Sequence, residues 1–575
     1  MYYVELIVRL IVFFLSNLGY WEWMRKNTKI NQYFLPSLTI AAQTSVLFAA
    51  GLLNVLMEVT CILFAGGLIL LVWSLIRDHG TKWIDSYKNV GFVYLIIALF
   101  IAMMYVRGQV FTHYDNFSHW ALVVKQMLTD NRYPNFENVL IEFQEYPLGS
   151  ATYIYYMAFI VGASEAIQML AQIYMMLACL LPIFIYCKRN KMVSFLYMFL
   201  ATNFIFVYNI KVNDLLVDTL LPVVAACMLL YFYHYSQKFN DNLLEMYLGI
   251  FYMIQVIQIK NSGIFFIAII SIWILLGGIR NKNIINRAVI AFSPYITLLL
   301  WQKHCSYVYM SSETSKHAMT AENYGSVYAS KTAEDIQNIC HSMLKFSVSW
   351  KGIWYMFLCV LVGGVLIFTL AKECKRSFYK AVSFCIGIYI VYQIGMLFMY
   401  LYSMPGGEAT RLASVERYCK TILIVVFYVL TVLYMKIISQ LHINKISGIA
   451  GVAVIVGGIL LCMNGTNGQI ETIFSEQTNT ARREWIEGEK LSYNVPEEQS
   501  YCILIHKDDS GYMYYLGKYV FQSNNVSTRI ITTSDEMDSI DAKYILIYDK
   551  KNKVIKKWIK DHYPEQKGND VIIRE

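Results

Sequence analysis

Apolar runs of about 20 residues recur from one end of this chain to the other, each long enough for a helix to cross the roughly 30 Å hydrocarbon layer of a bilayer. The candidates are 3–20, 35–54, 56–76, 90–106, 165–186, 193–209, 214–234, 243–259, 262–279, 287–302, 353–371, 381–402, 418–437 and 446–464, about fourteen in all. With no water to satisfy backbone groups, such runs must be helical. The chain is 57% hydrophobic and 15% charged, against about 25% charged in a soluble domain. That balance excludes an ordinary soluble enzyme, a disordered chain and a disulfide-stapled secreted module. Tyr, Phe and Trp number 45, 32 and 11, an aromatic load suited to interfacial belts. The 12 cysteines show no zinc or iron–sulfur spacing, and Cys61, Cys179, Cys227 and Cys359 sit inside apolar runs as small hydrophobes. Glu5 and Arg9 interrupt the first run, which is therefore read as a span and not as a cleavable signal.

The net charge of +8 does not point to nucleic acid, because the cations fall in short clusters between spans. These are Arg25/Lys26/Lys29, Arg77/Lys82/Lys88, Lys188/Arg189/Lys191, Lys238, Arg280/Lys282/Arg287, Lys372/Lys375/Arg376/Lys380 and Lys436/Lys445. Cytoplasmic loops are enriched in Lys and Arg, and every cluster falls on one side if 148–163 is an interfacial segment on the outer side. Both termini then lie outside. The outer face carries long connections at about 107–164, 303–352 and 403–417, and a soluble tail over 466–575. In the tail, Tyr501–Ile505 and Tyr544–Tyr548 read as strands, and 511–521 and 550–562 as helices. The expected fold is a polytopic all-α membrane protein with a small extracytoplasmic α/β C-terminal domain.

Four polar groups gather on the predicted outer side, where ionisable residues at span edges are costly and usually functional. The first is His113-Tyr114-Asp115-Asn116-Phe117-Ser118-His119-Trp120. In a helix Asp115 and His119 share a face, so a carboxylate and an imidazole would meet one substrate hydroxyl; the alternative is an N-cap at Asp115 or Asn116 with Trp120 as interfacial anchor. The second is Asp214 and Asp218, again four apart, at the start of the predicted span 214–234; the alternative is a cap at Asn213/Asp214 with Asp218 paired to Lys211. The third is Lys260 in Lys260-Asn261-Ser262-Gly263, a corner where a lysine either binds phosphate or snorkels. The fourth runs from Glu408 to Tyr418, where Arg411 and Arg417 bring forked donors suited to phosphate; the alternative is neutralisation by Glu408 and Glu416. Pro405-Gly406-Gly407 before it suits a mobile lid. Glu142, Glu145 and Tyr146-Pro147 add acidic and rigid elements to the first loop.

This layout resembles the GT-C superfamily of polytopic glycosyltransferases that use polyprenyl-phosphate sugars. The resemblance rests on Asp115 in a long first outer loop, on Glu145-Tyr146-Pro147 before an interfacial segment, and on acidic residues at later outer helix ends. Arg417-Tyr418 before a late span and a soluble outer C-terminal domain complete it. It covers about 90–575 as a core over 90–465 and the tail domain 466–575, with 1–89 as additional N-terminal helices. The resemblance implies transfer of a sugar from a polyprenyl-phosphate carrier to a cell-surface glycan or lipid-linked acceptor at the outer face of a bacterial plasma membrane. It casts Asp115 as general base, with His119 and Asp214 or Asp218 positioning the acceptor, and Lys260, Arg411 and Arg417 holding phosphate beside Glu145, Glu408 and Tyr418. The resemblance implies no certain cofactor. A divalent metal is possible, but Asn116 stands where a paired acidic motif would place a second carboxylate.

Two other functions carry their own expectations. A lipid-linked polysaccharide polymerase or ligase would use a lipid diphosphate and outer arginines. A transporter or flippase would show charged or broken helices near the midplane and internal repeats, and neither is visible in the sequence.

Overall fold

The computed structural model describes residues 2–77, 82–136, 140–209, 213–277, 283–309, 321–369, 371–441, 479–564 and 570–574. The chain is a helical membrane protein with a small C-terminal sheet. Nine helical segments among the described residues are long and apolar enough to span: Val4–Asn27, Gln32–Leu52, Leu56–Arg77, Glu165–Tyr186, Lys191–Tyr208, Ile284–Val308, Ala333–Thr369, Lys372–Tyr402 and Val415–Gln440. Three further expected spans are shorter apolar helices, Val90–Val106, Leu243–Ile259 and Asn261–Leu276. The expected span 446–464 lies outside the described residues, as do Lys211, Arg280, Lys282 and Lys445.

The span expected at 214–234 is corrected to a helix over Leu220–Tyr235. Residues 213–219 form turns ahead of it, so Asp214 and Asp218 do not share a helical face. The carboxylates take tertiary partners instead of helix positions. The segment expected at 148–163 is a helix over Gly149–Val161 with nearly every side chain buried. At about 20 Å it is short for a crossing. It packs inside the helical unit, where a Cβ on Gly149 would stand 2.4 Å from Gln258 Cβ.

The chain folds as two compact units, the first Met1–Arg107, Glu145–Val212 and Leu216–Ser475. Its helices expose broad apolar faces, such as Ile62, Ile69 and Ile76 on one and Phe357, Leu361 and Val365 on another. Such surfaces are liabilities in water and need no partner in lipid. The helices Tyr2–Asn27 and Leu56–Arg77 approach through small residues, as membrane helices commonly do. A Cβ on Gly19 would stand 1.9 Å from the Gly67 carbonyl oxygen. Ser16 Oγ donates to Phe64 O at 2.8 Å, and Tyr20 Oη donates to Leu63 O at 2.7 Å.

The second unit comprises Gly108–Gln144, Asn213–Leu215 and Glu476–Glu575. Four strands, β1 (Tyr501–Leu504), β2 (Val526–Arg529), β3 (Tyr544–Ile547) and β4 (Val571–Ile573), form one sheet ordered β2-β1-β3-β4. β1 runs parallel to β2 and β3, and β4 closes the edge antiparallel to β3. The expected strands and helices of the tail are all present, the helices as Tyr512–Phe521 and Lys553–His562. Cys502, Leu504, Ile545 and Ile547 pack with Ile555, Trp558 and Ile559 of the last helix. Helix Tyr512–Phe521 approaches so closely that a Cβ on Gly517 would meet Ile503 Cδ1 at 2.8 Å.

The first polar loop is part of this unit and not a free connection. Phe117 packs edge-on to Tyr512, with centroids 5.8 Å apart, and Tyr114 edge-on to Tyr515 at 5.0 Å. Arg483, 5% exposed, donates through Nη1 to Phe111 O at 2.6 Å. Lys125 Nζ donates to Tyr519 O at 2.6 Å.

Candidate functional site

The sequence-predicted residues divide between the two units. In the membrane unit, Asp218 sits in the turn before helix Leu220–Tyr235 and is 4% exposed. Lys260 occupies the corner between helix Ile250–Ile259 and the short turn Asn261–Gly263, in extended backbone. The ammonium donates to Asp218 Oδ1 at 3.1 Å. Arg417, in the first turn of helix Val415–Gln440, brings Nε to 3.8 Å from the same oxygen.

Hydrogen bonds reinforce the meeting point. Asn209 Nδ2 donates to Asp218 O at 3.4 Å and to Arg417 O at 3.5 Å. Tyr392 Oη donates to Tyr418 O at 3.1 Å. The Tyr418 ring lies 5.9 Å from Lys260 Nζ and 5.6 Å from the Arg417 guanidinium carbon, both within cation–π range.

Burial alone would raise the Asp218 carboxyl, but Lys260 and then Arg417 pull it below its ordinary value. Burial alone would lower the Lys260 ammonium, and Asp218 raises it above its ordinary value. Both changes say that the pair is charged when folded. Tyr146 faces the same group. Burial lifts its phenol, and the fields of Lys260, Tyr418, Arg417 and Asp218 all act on it. Two cations, Lys260 and Arg417, converge on one carboxylate here.

The turn that delivers Arg417 is strained. Leu412 and Ser414 adopt φ of +47° and +60°, a left-handed conformation costing on the order of 1–3 kcal/mol for such residues. Ala409 and Leu412 anchor the turn in an apolar cluster with Tyr400 and Cys419. Glu408 and Arg411 project from it as exposed side chains, so Arg411 does not share the setting of Arg417. Glu145 is half-buried; burial raises its carboxyl, and its backbone oxygen accepts from Trp301 Nε1 at 3.0 Å.

In the second unit, Asp115 opens a single π-helical turn over Asn116–Trp120, closed by Ala121 N–H donating to Asn116 O. The side chain of Asp115 makes no capping bond to that turn. The fully buried Asn116 holds Asp214: its amide nitrogen donates to Asp214 Oδ1 at 2.8 Å, and its oxygen accepts from Leu215 N–H at 3.0 Å. Asn116 thus fastens 213–215 to the first loop. His119 is buried against Trp120 and Phe143, and burial takes its pKa down to about 3. At neutral pH it is an uncharged imidazole in an apolar setting. Glu142 accepts from Tyr515 Oη at 2.5 Å and lies 3.8 Å from Lys518 Nζ.

Among the described residues no three His, Cys, Asp or Glu side chains gather as metal ligands. Asn116, the residue beside Asp115, has its amide engaged by Asp214 and Leu215.

The sequence singled out Asp218, Lys260, Arg417 and Tyr418, and these four come together. It missed Asn209 and Tyr392, whose bonds go to backbone carbonyls that no side-chain pattern marks, and it assigned Tyr146 only rigidity. No protein-family model, curated protein or solved structure matches this chain.

Proposed function

We propose that the protein is a membrane glycosyltransferase of GT-C-like architecture, with the crossings and orientation set out above. It would transfer a sugar from a polyprenyl-phosphate carrier to a glycan or lipid-linked acceptor on the extracytoplasmic face. The observation that carries this reading is the convergence of Lys260 and Arg417 on Asp218. Two cations held side by side by a buried carboxylate are suited to a phosphate that arrives from the membrane. They lie at helix ends away from the basic loops, where the charge rule disfavours stray cations.

In this reading the acceptor hydroxyl loses its proton to a carboxylate, its oxygen attacks the anomeric carbon, and the bond from that carbon to the phosphate oxygen breaks. The departing lipid phosphate takes the electron pair, and its charge is held by Lys260 and Arg417. Asp218 fixes the two cations before the substrate arrives, so little reorganisation remains. Asp115 serves as the base, on the resemblance of its loop. His119 and Asp214 then act as positioning residues, as their burial and bonding favour, with Arg411, Glu408 and Glu145 in peripheral roles.

The test uses purified full-length protein and a polyprenyl-phosphate sugar. Arg417→Lys should reduce turnover despite keeping the charge, because a point charge cannot match two phosphate oxygens as a fork does. Asp115→Asn should abolish turnover in protein that folds normally. Normal turnover in both variants would sink the proposal.

A further inference from the structure

The helices that carry the Asp218 cluster enclose a second feature at their other ends. A cavity of about 460 Å³ lies among helices Leu220–Tyr235, Ile264–Leu276, Lys375–Tyr402 and Val415–Gln440. Its volume falls within the range of about 300–1,000 Å³ typical of small-molecule sites. Leu229, Ile270, Phe384 and Val432 make its walls apolar, and Tyr233 and Trp273 stack at 6.4 Å along one side. Among the described residues that line it, Lys380 and Lys436 are the only charged ones. Lys436 Nζ donates to Ser377 Oγ at 2.9 Å and lies 5.5 Å from the Tyr186 ring centroid, with both neighbours also lining the cavity.

Position along the helix fixes the depth. Arg417 and Lys436 stand on one helix, 19 residues and about 29 Å apart at 1.5 Å per residue. That is close to the thickness of the hydrocarbon layer. The two sites therefore sit at opposite ends of the same span. The cavity is at the end marked by the basic loops, with the aromatic pair at the level where Tyr and Trp meet headgroups.

We propose that this cavity is a binding site for an anionic phospholipid of the basic-loop leaflet. One acyl chain would occupy the apolar space, and the phosphate would sit between Lys380 and Lys436 beside the Ser377 hydroxyl. An apolar cavity with two lysines and no carboxylate in its described lining selects for an amphiphile with a negative head, and the bilayer supplies that amphiphile directly. The site does not depend on the glycosyltransferase reading, since it uses none of the residues of the Asp218 cluster.

The test is native mass spectrometry of the delipidated full-length protein with phosphatidylglycerol or phosphatidylcholine of matched chains. At about fivefold per lysine near an anionic headgroup, the two lysines should favour phosphatidylglycerol by roughly 25-fold. Lys380→Gln with Lys436→Gln should bring it down to the phosphatidylcholine level, while the paired arginine variant should keep the preference. Val432→Trp, which fills the cavity from a half-buried position, should displace both lipids. Equal retention of the two lipids by the wild type, or an undiminished preference in either the glutamine pair or Val432→Trp, would overturn the proposal. Displacement of phosphatidylglycerol by an equal amount of polyprenyl phosphate would overturn the phospholipid assignment.

Discussion

Replacing Lys260 by Met removes one of the two cations that hold a nearly buried carboxylate. At an effective dielectric of 20, the 3.1 Å separation from Asp218 corresponds to about 5 kcal/mol of attraction, and the 3.8 Å separation of Arg417 to about 4 kcal/mol. These are gross values. Removal also relieves the desolvation of Lys260, whose side chain is 18% exposed, and Arg417 goes on compensating the carboxylate. Breaking a buried pair outright costs about 3–5 kcal/mol, so with partial compensation Lys260→Met should destabilise the protein by about 2–3 kcal/mol. The decisive quantity is the coupling. Asp218→Asn in the Lys260→Met background should cost little more, giving an interaction energy of about 1–3 kcal/mol in a double-mutant cycle. The assay is reversible unfolding of the purified protein in mixed micelles, followed by tryptophan fluorescence. The pH dependence adds a check. Asp218 has a lowered folded pKa, so its contribution is complete above the ordinary carboxylate range and fades as the pH falls through the lowered value. Lys260 has a raised one, so its contribution is complete below the ordinary lysine value and fades as the pH rises through the raised value. Additive single variants, or a Lys260→Met protein as stable as wild type, would refute the reasoning.

Three further outcomes are expected. His119, with a pKa lowered to about 3, keeps the second unit neutral at this position, so stability should decline as the pH falls below about 6.5 by up to about 1.4 kcal/mol per pH unit. In His119→Phe, which retains the contacts with Trp120 and Phe143, the acid-unfolding midpoint measured by circular dichroism should move to lower pH. Asn116→Ala removes the buried acceptor of the Leu215 N–H and one donor to Asp214, and should cost about 2–6 kcal/mol, at about 1–3 kcal/mol per group. Asn116→Asp should cost more, because it sets a second carboxylate against Asp214, and calorimetry would rank the two. Gly67→Leu should separate helices Tyr2–Asn27 and Leu56–Arg77, since even a Cβ would stand 2.4 Å from Ser16 O. Cross-linking between cysteines placed on those two helices should then fall.

The apolar runs determined by themselves that this chain is a helical membrane protein, because bilayer thickness and backbone hydrogen bonding are local demands on consecutive residues. Short apolar runs likewise marked β1 and β3 of the tail. The polar-faced β2 was not legible, because the ladder that forms it comes from β1. Charges followed another logic. Asn116 and Asp214 are 98 residues apart, and Asp218 and Lys260 are 42 apart. The tertiary fold alone decided that Asp218 turns to Lys260 and Arg417 while Asp214 turns to Asn116, four residues of sequence serving two compact units. It also decided that Lys331 is buried, capping the end of helix Lys375–Tyr402 through Leu401 O at 2.9 Å and Met404 O at 2.8 Å. A side chain's chemistry is written at its own position, but its partner is chosen by which helix ends the packing brings within about 3 Å.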